Sequence, residues 1–177
     1  MDDMKPKKII YSAVVLFLFT VLAGCSSTVD QQITEKPLFP ERHGWDLKQV
    51  AISDVDNTTL DFKRVNCVWV VGEENKPSDE FRVTALADKL VSMSPTGLAT
   101  QKSDRFRDFK VGDASFSRKV ILSFKDNSSF TLLIGSPAVT KPAYVRFVDK
   151  NEVYMVDEPL LKQINLDTGY WLAPEEG

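Results

Sequence analysis

The chain has 177 residues, with 22 Lys plus Arg against 25 Asp plus Glu and a formal net charge of -3, so it carries no excess of cations with which to neutralise nucleic-acid phosphates. Hydrophobic residues make up 43% of it and charged residues 27%, which excludes a globally disordered chain and a polytopic membrane protein alike. One His and two Cys are too few for a His/Cys metal site or a disulfide framework, and no cofactor is expected.

Lys5, Lys7 and Lys8 precede the uncharged run Ile9 to Val21, thirteen residues long, where a helix needs about 20 to cross about 30 Å of hydrocarbon. A cationic start followed by a short apolar run is the plan of a secretory signal peptide. The run closes on Leu22-Ala23-Gly24-Cys25, which resembles the lipobox of bacterial lipoproteins. That resemblance implies cleavage between Gly24 and Cys25, acylation of Cys25, and a mature chain held to a membrane through this residue. Several acyl chains on one residue give stable anchoring, since each buried methylene contributes about 0.8 kcal/mol. Ser26 and Ser27 follow, with no Asp at the second position, which by the same resemblance implies the outer membrane, facing the periplasm. Losing residues 1 to 24 removes three Lys and two Asp and leaves a net charge of -4, so attraction to anionic headgroups does not drive the association.

Residues 25 to 44 contain Pro37 and Pro40, mixed charge and no sustained period. They are read as the acylated Cys followed by a flexible tether, with a coil span of about 25 Å. A single domain is expected over 45 to 177. It opens with strand-like runs at Leu47 to Val55, Leu60 to Val65 and Cys67 to Val71, separated by Asp56-Asn57-Thr58 and followed by the turn residues Gly72 to Pro77. With Cys25 consumed by lipid, Cys67 is the one thiol left, and alternation puts it on the face of Val65, Trp69 and Val71 as a small buried hydrophobe, the alternative being a reactive or intermolecular thiol.

The period then changes. Ser78 or Asp79 caps a helix whose stripe is Val83, Leu86, Ala87, Leu90 and Met93, and which Pro95 and Gly97 stop. Beyond a polar, aromatic stretch, Val120 to Phe124 and Phe130 to Ile134 alternate around Lys125-Asp126-Asn127-Ser128-Ser129, and Ala143 to Phe147 pairs with Val153 to Val156 across a second turn. A short helix is expected from Glu158 to about Ile164, with Pro159 in its first turn. Strands, helix, strands, helix give an α+β class: a mostly antiparallel sheet built from hairpins, with one amphipathic helix and a short C-terminal helix packed on it.

Val68-Trp69-Val70, Ala87-Asp88-Lys89-Leu90 with Met93, the hairpin Val120-Ile121-Leu122-Ser123-Phe124 to Leu133-Ile134-Gly135, and Tyr144-Val145-Arg146 before Val153-Tyr154-Met155-Val156 make the segment from Val68 to about Leu166 similar to a bacterial family of unknown function. Its members are extracytoplasmic, membrane-anchored proteins, often found near auxiliary components of gliding-type ABC transport systems. The chain departs from the family at Phe109-Lys110-Val111-Gly112, where a Gly-Leu pair is usual. The resemblance implies a fold and an envelope setting, and brings no catalytic residues.

Candidate chemistry is sparse. Asp54 and Asp56, after an apolar strand and before Thr58, resemble the nucleophile motif of haloacid-dehalogenase-type phosphatases, but Thr59 stands where an aliphatic residue belongs and no later acidic cluster completes a metal site. The same stretch fails as a calcium loop, because Thr59 takes the place of the required Gly and Val65 that of the bidentate Glu. Asn57-Thr58-Thr59 and Asn127-Ser128-Ser129 are read as turns rather than glycan acceptors. His43 lies in the tether, where nothing holds a catalytic base rigidly, and Gly72, Gly97, Gly112 and Gly135 stand too far apart for a phosphate-cradling loop.

The stretch 102 to 119, KSDRFRDFKVGDASFSRK, holds six basic residues against three acids and interleaves three Phe. Arg105, Phe106, Arg107, Phe109 and Arg118 are the candidate interaction surface; the other reading drops the Phe side chains into the core and leaves the charges in water. Tyr170 and Trp171 carry the same two readings. The functional expectation is a non-enzymatic lipid-anchored envelope protein that binds or positions another envelope protein, in a transport system if the resemblance holds. An envelope hydrolase using Asp54 and Asp56, and a carrier with an apolar cavity between helix and sheet, are the alternatives.

Overall fold

The structure, a computed structural model, describes residues 36 to 137, 141 to 157 and 159 to 174. Gly24, Cys25 and the expected signal peptide lie outside the described residues. Every described residue belongs to one compact unit.

The strands are β1 (Leu47–Ser53), β2 (Thr59–Val65), β3 (Val68–Val71), β4 (Lys76–Pro77), β5 (Gly97–Thr100), β6 (Val111–Gly112), β7 (Ser115–Phe116), β8 (Arg118–Phe124), β9 (Ser129–Gly135), β10 (Ala143–Phe147) and β11 (Val153–Val156). The helices are α1 (Glu80–Ser92), α2 (Leu160–Gln163) and α3 (Thr168–Trp171). Nine strands form one sheet in the order β4-β3-β2-β1-β8-β9-β10-β11-β5, and β6 pairs with β7 in a separate two-stranded ribbon. Every strand pairing is antiparallel.

This corrects the α+β expectation: the fold is a large antiparallel sheet with few, short helices, and among the described residues only α1 is longer than four residues. The physical reason is that β5, β6 and β7 have no local signature of their own. Gly97–Thr100 becomes a strand by pairing with β11, more than fifty residues along the chain, which no window of sequence displays. The C-terminal helix also shrinks to the four residues of α2, and α3 follows as a second short turn.

Alternation selects the inner face. Val50 and Ile52 of β1, Leu60 and Phe62 of β2, Trp69 and Val71 of β3, Val120, Leu122 and Phe124 of β8, Leu132 and Ile134 of β9, and Val145 and Phe147 of β10 are all buried in one cluster. α1 places Val83, Leu86, Ala87, Leu90 and Val91 in that cluster; each such side chain contributes about 1.5–3 kcal/mol relative to exposure. Its start is set by Asp79, whose side chain accepts from the Arg82 N–H at 3.1 Å. Glu80 in its first turn accepts from the Trp69 N–H at 2.8 Å and ties the helix to β3.

The packed domain begins before residue 45. Phe39, in the stretch read as tether, is buried against Phe130 and Phe147 at 5.4 Å between ring centroids in each case, and the Leu38 N–H donates to the Met93 carbonyl at 2.8 Å. A Cβ on Gly44 would meet the Asp88 backbone nitrogen at 2.8 Å, so the turn before β1 can lie on α1 only with glycine there.

Cys67 is not on a strand. Asn66 and Cys67 both have positive φ, 50° and 69°, and form the two-residue turn between β2 and β3. The thiol is exposed, which overturns the expectation of a buried one: alternation resumes at Val68, and Trp69 and Val71 alone take the inner face.

Candidate functional site

Residues 102 to 117 lie over the outer face of the sheet, and Arg118 and Lys119 begin β8 within it. Leu133 of β9, Arg146 of β10 and Val153 of β11 are register partners in one row, and the pleat points them away from the main core. Phe106 and Val111 cover that row, burying a second cluster with Leu133 and Val153, against which Phe109, Phe116, Tyr144 and Ala99 pack. Phe106 is 9% exposed, and Phe109 meets Tyr144 edge to face at 4.8 Å.

Arg146 fastens this cover. Its side chain is 3% exposed; Nε donates to the Val111 carbonyl at 2.8 Å, Nη1 to the Val148 and Lys150 carbonyls at 3.2 and 3.1 Å, and Nη2 to Asp113. The guanidinium sits 4.3 Å from the Phe106 ring centroid. A fork of fixed donors satisfied on every nitrogen is how a buried Arg becomes tolerable. At Gly135 the cover passes so close that a Cβ would stand 2.0 Å from the Phe109 carbonyl oxygen.

The five candidate interaction residues therefore part company. Phe106 and Phe109 face the sheet. Arg105 is exposed, paired with Asp108 at 3.2 Å, and Arg107 is exposed. Arg118 sits apart from both, half-buried at the head of β8, with Nη1 donating to the Ser117 carbonyl at 2.7 Å.

Asp54 turns its carboxylate onto its own hairpin, where Oδ1 accepts from the N–H groups of Asp56 and Thr58, both at 3.0 Å. That is an Asx turn, and among the described residues no group of three His, Cys, Asp or Glu is placed to hold a metal. The His43 ring stacks on Trp45 at 4.0 Å.

An exposed aromatic beside an arginine does occur, at the start of α1. Phe81 is 84% exposed, about 200° round the helix from Val83. Next to it Arg82 donates to the Tyr170 carbonyl at 2.6 Å and lies 4.7 Å from the Tyr170 ring centroid. Trp171 is buried, edge on to Phe62 at 5.1 Å, with Nε1 donating to the Asn165 carbonyl, so of the two terminal aromatics Trp171 closes the core and Tyr170 faces out. Between α1 and the C-terminal segment runs a groove of about 620 Å³ whose walls include Phe81, Arg82, Lys89, Lys162 and Tyr170. A large apolar residue on the polar face of an amphipathic stripe was the available signal for Phe81; nothing local marks Lys162.

No curated protein and no solved structure matches the chain. Residues 69 to 174 match the family pattern of a domain of unknown function, DUF4340. The match runs from Trp69 on β3 through α3 and covers more than half of the chain, which therefore belongs to the DUF4340 family.

Proposed function

We propose that this protein is a lipid-anchored, non-catalytic envelope protein that holds a partner protein in the groove between α1 and the C-terminal segment. Acyl chains on Cys25 keep it at the outer membrane, facing the periplasm, as the Leu-Ala-Gly-Cys sequence implies. The observation that carries the binding role is Phe81, an aromatic side chain 84% exposed beside Tyr170 and Arg82, the residue types that anchor protein interfaces. The partner segment carries apolar side chains with a carboxylate toward Lys162, since Arg82 is already paired with Asp79 at 3.1 Å and no carboxylate lines the groove among the described residues. The family resemblance makes a membrane transport complex the first place to seek it.

The test is photo-crosslinking in cells from a reactive group placed at residue 81 of the full chain, followed by mass spectrometry. One envelope protein should be captured from position 81 and not from Val65 on the β2–β3 hairpin, with capture falling at least tenfold when Tyr170→Ala is combined with the probe and unchanged when Arg105→Ser/Arg107→Ser is. Equal capture from both positions, or capture indifferent to the groove variant, would refute the groove. Cys25→Ala should leave the protein out of the membrane fraction; normal processing and fractionation of that variant would refute the anchor.

A further inference from the structure

A second concave site lies apart from that groove, between the β1–β2 hairpin, the head of β8 and α2. It encloses about 670 Å³ and is lined by Lys110, Arg118 and Lys162 together with Asp54, Asp56 and Ser117. None of the three cations forms an ion pair among the described residues. Asp54 is held by backbone N–H groups of its own hairpin, hydrogen bonds that leave its charge in place, so the cleft sets three cations against the two carboxylates of Asp54 and Asp56. Arg118 is half-buried, and while its Nη1 donates to the Ser117 carbonyl, its Nε is shut off from solvent without an acceptor. That Nε is as closed to an incoming group as to water; the donors Arg118 can offer to the cleft are on Nη2, which has no partner among the described residues, and an anion entering the cleft meets them there.

We propose that this cleft binds a phosphate group, belonging to a lipid headgroup or to a soluble phosphate ester. Arg118 supplies the planar donor fork that matches tetrahedral oxyanions, and Lys110 and Lys162 add two further positive charges at the rim. Asp56 opposes binding, which keeps the site weak and selective for groups that reach Arg118 while standing clear of the hairpin. The proposal does not depend on the protein-binding groove: the two sites share Lys162 and no other cation.

The test uses the full chain in detergent micelles with ¹⁵N-labelled arginine, titrated with sodium phosphate against sodium chloride at constant ionic strength. The Arg118 Nε–H resonance should shift saturably with phosphate and not with chloride. Binding should weaken roughly tenfold in Arg118→Gln, followed by ³¹P line width, and roughly two- to fivefold in Lys162→Gln, while Asp56→Asn should tighten it by a similar factor. The last two replace exposed side chains, so a folding defect cannot imitate their opposite signs. Doping the micelles with phosphatidylglycerol separates the sources: a shift from the lipid alone assigns a headgroup, and a shift from inorganic phosphate alone a soluble ester. No saturable shift from either ligand, or unchanged affinity in both Lys162→Gln and Asp56→Asn, would overturn the proposal.

Discussion

The two faces of the sheet are built on different principles. The inner face is a continuous apolar layer in which alternate residues of six strands share one buried cluster with the stripe of α1; its stability is spread over many side chains of similar weight. The outer face at β9, β10 and β11 is covered by a stretch with little regular structure, and its cohesion is concentrated in one buried arginine, a small apolar cluster and one close approach at Gly135. Distributed packing tolerates local damage in proportion to the volume lost. A cover held by one polar fork fails as a unit when the fork is cut, because several carbonyls lose their donor together.

Phe62→Ala tests the first half of this contrast and should have the largest effect. Phe62 is fully buried in the inner layer, edge on to Trp171, and truncation should cost about 3–5 kcal/mol in chemical denaturation, with the whole domain shifting in one transition. Two separate transitions in the variant would mean that the inner and outer faces are independent units, contrary to the shared strands β9 to β11.

Arg146→Met should cost less, about 2–3 kcal/mol, since the methionine stem keeps part of the packing over Phe106 while the Val111, Val148 and Lys150 carbonyls lose their donor. The distinguishing readout is hydrogen exchange resolved by peptide. Protection should fall across residues 102 to 117 and hold in α1. If α1 and the cover lost protection together, the outer stretch would be an integral part of the global core rather than a locally fastened flap.

The same contrast explains what could be read from the sequence. α1 was legible in detail, from the Asp79 cap to the stripe Val83, Leu86, Ala87 and Leu90, because its period and its cap lie within one short window. The hairpin β8–β9 was legible for the same reason, with alternation on both sides of Asp126-Asn127. The balance of helix and strand was not, since β5 exists only through β11 and β6 only through β7. The basic, aromatic stretch showed its composition but not its direction: Phe106 turns inward because Leu133 and Val153 offer it a surface, and that surface is assembled by register among β9, β10 and β11, well beyond any local window around Phe106. Cys67 misled because a two-residue turn inserted between apolar runs keeps the appearance of alternation while reversing the chain. Of the candidate sites, Phe81 left a local trace that the sequence reading passed over, a large apolar residue off its helix stripe, whereas the cleft at Arg118 gathers residues from separate segments and has no linear trace.

The smallest expected effect concerns how the entering chain is pinned to the inner face, and it is a matter of pH. Arg42, three residues after the buried Phe39, donates to Asp126 at 2.8 Å across the tip of the β8–β9 hairpin. Asp126 also accepts from the Ser128 hydroxyl at 2.6 Å and the Ser128 N–H at 3.0 Å. These Ser128 bonds first, and the Arg42 contact after them, pull its carboxyl from 3.8 down to about 2. A carboxyl depressed in the folded state binds its proton more readily when unfolded, so its contribution is complete above the unfolded value and disappears as pH falls through the folded one. The melting temperature of the wild type should therefore exceed that of Asp126→Asn by a small constant amount from neutral pH down to about 5, with the gap closing between about 4 and about 2. Because the pair is exposed, the gap should also shrink at high salt. A gap that persists unchanged at pH 2 would show that the asparagine disrupts the turn itself rather than the charge. The tie between residues 39 to 44 and the hairpin would then be a matter of packing, as it is everywhere else on the inner face.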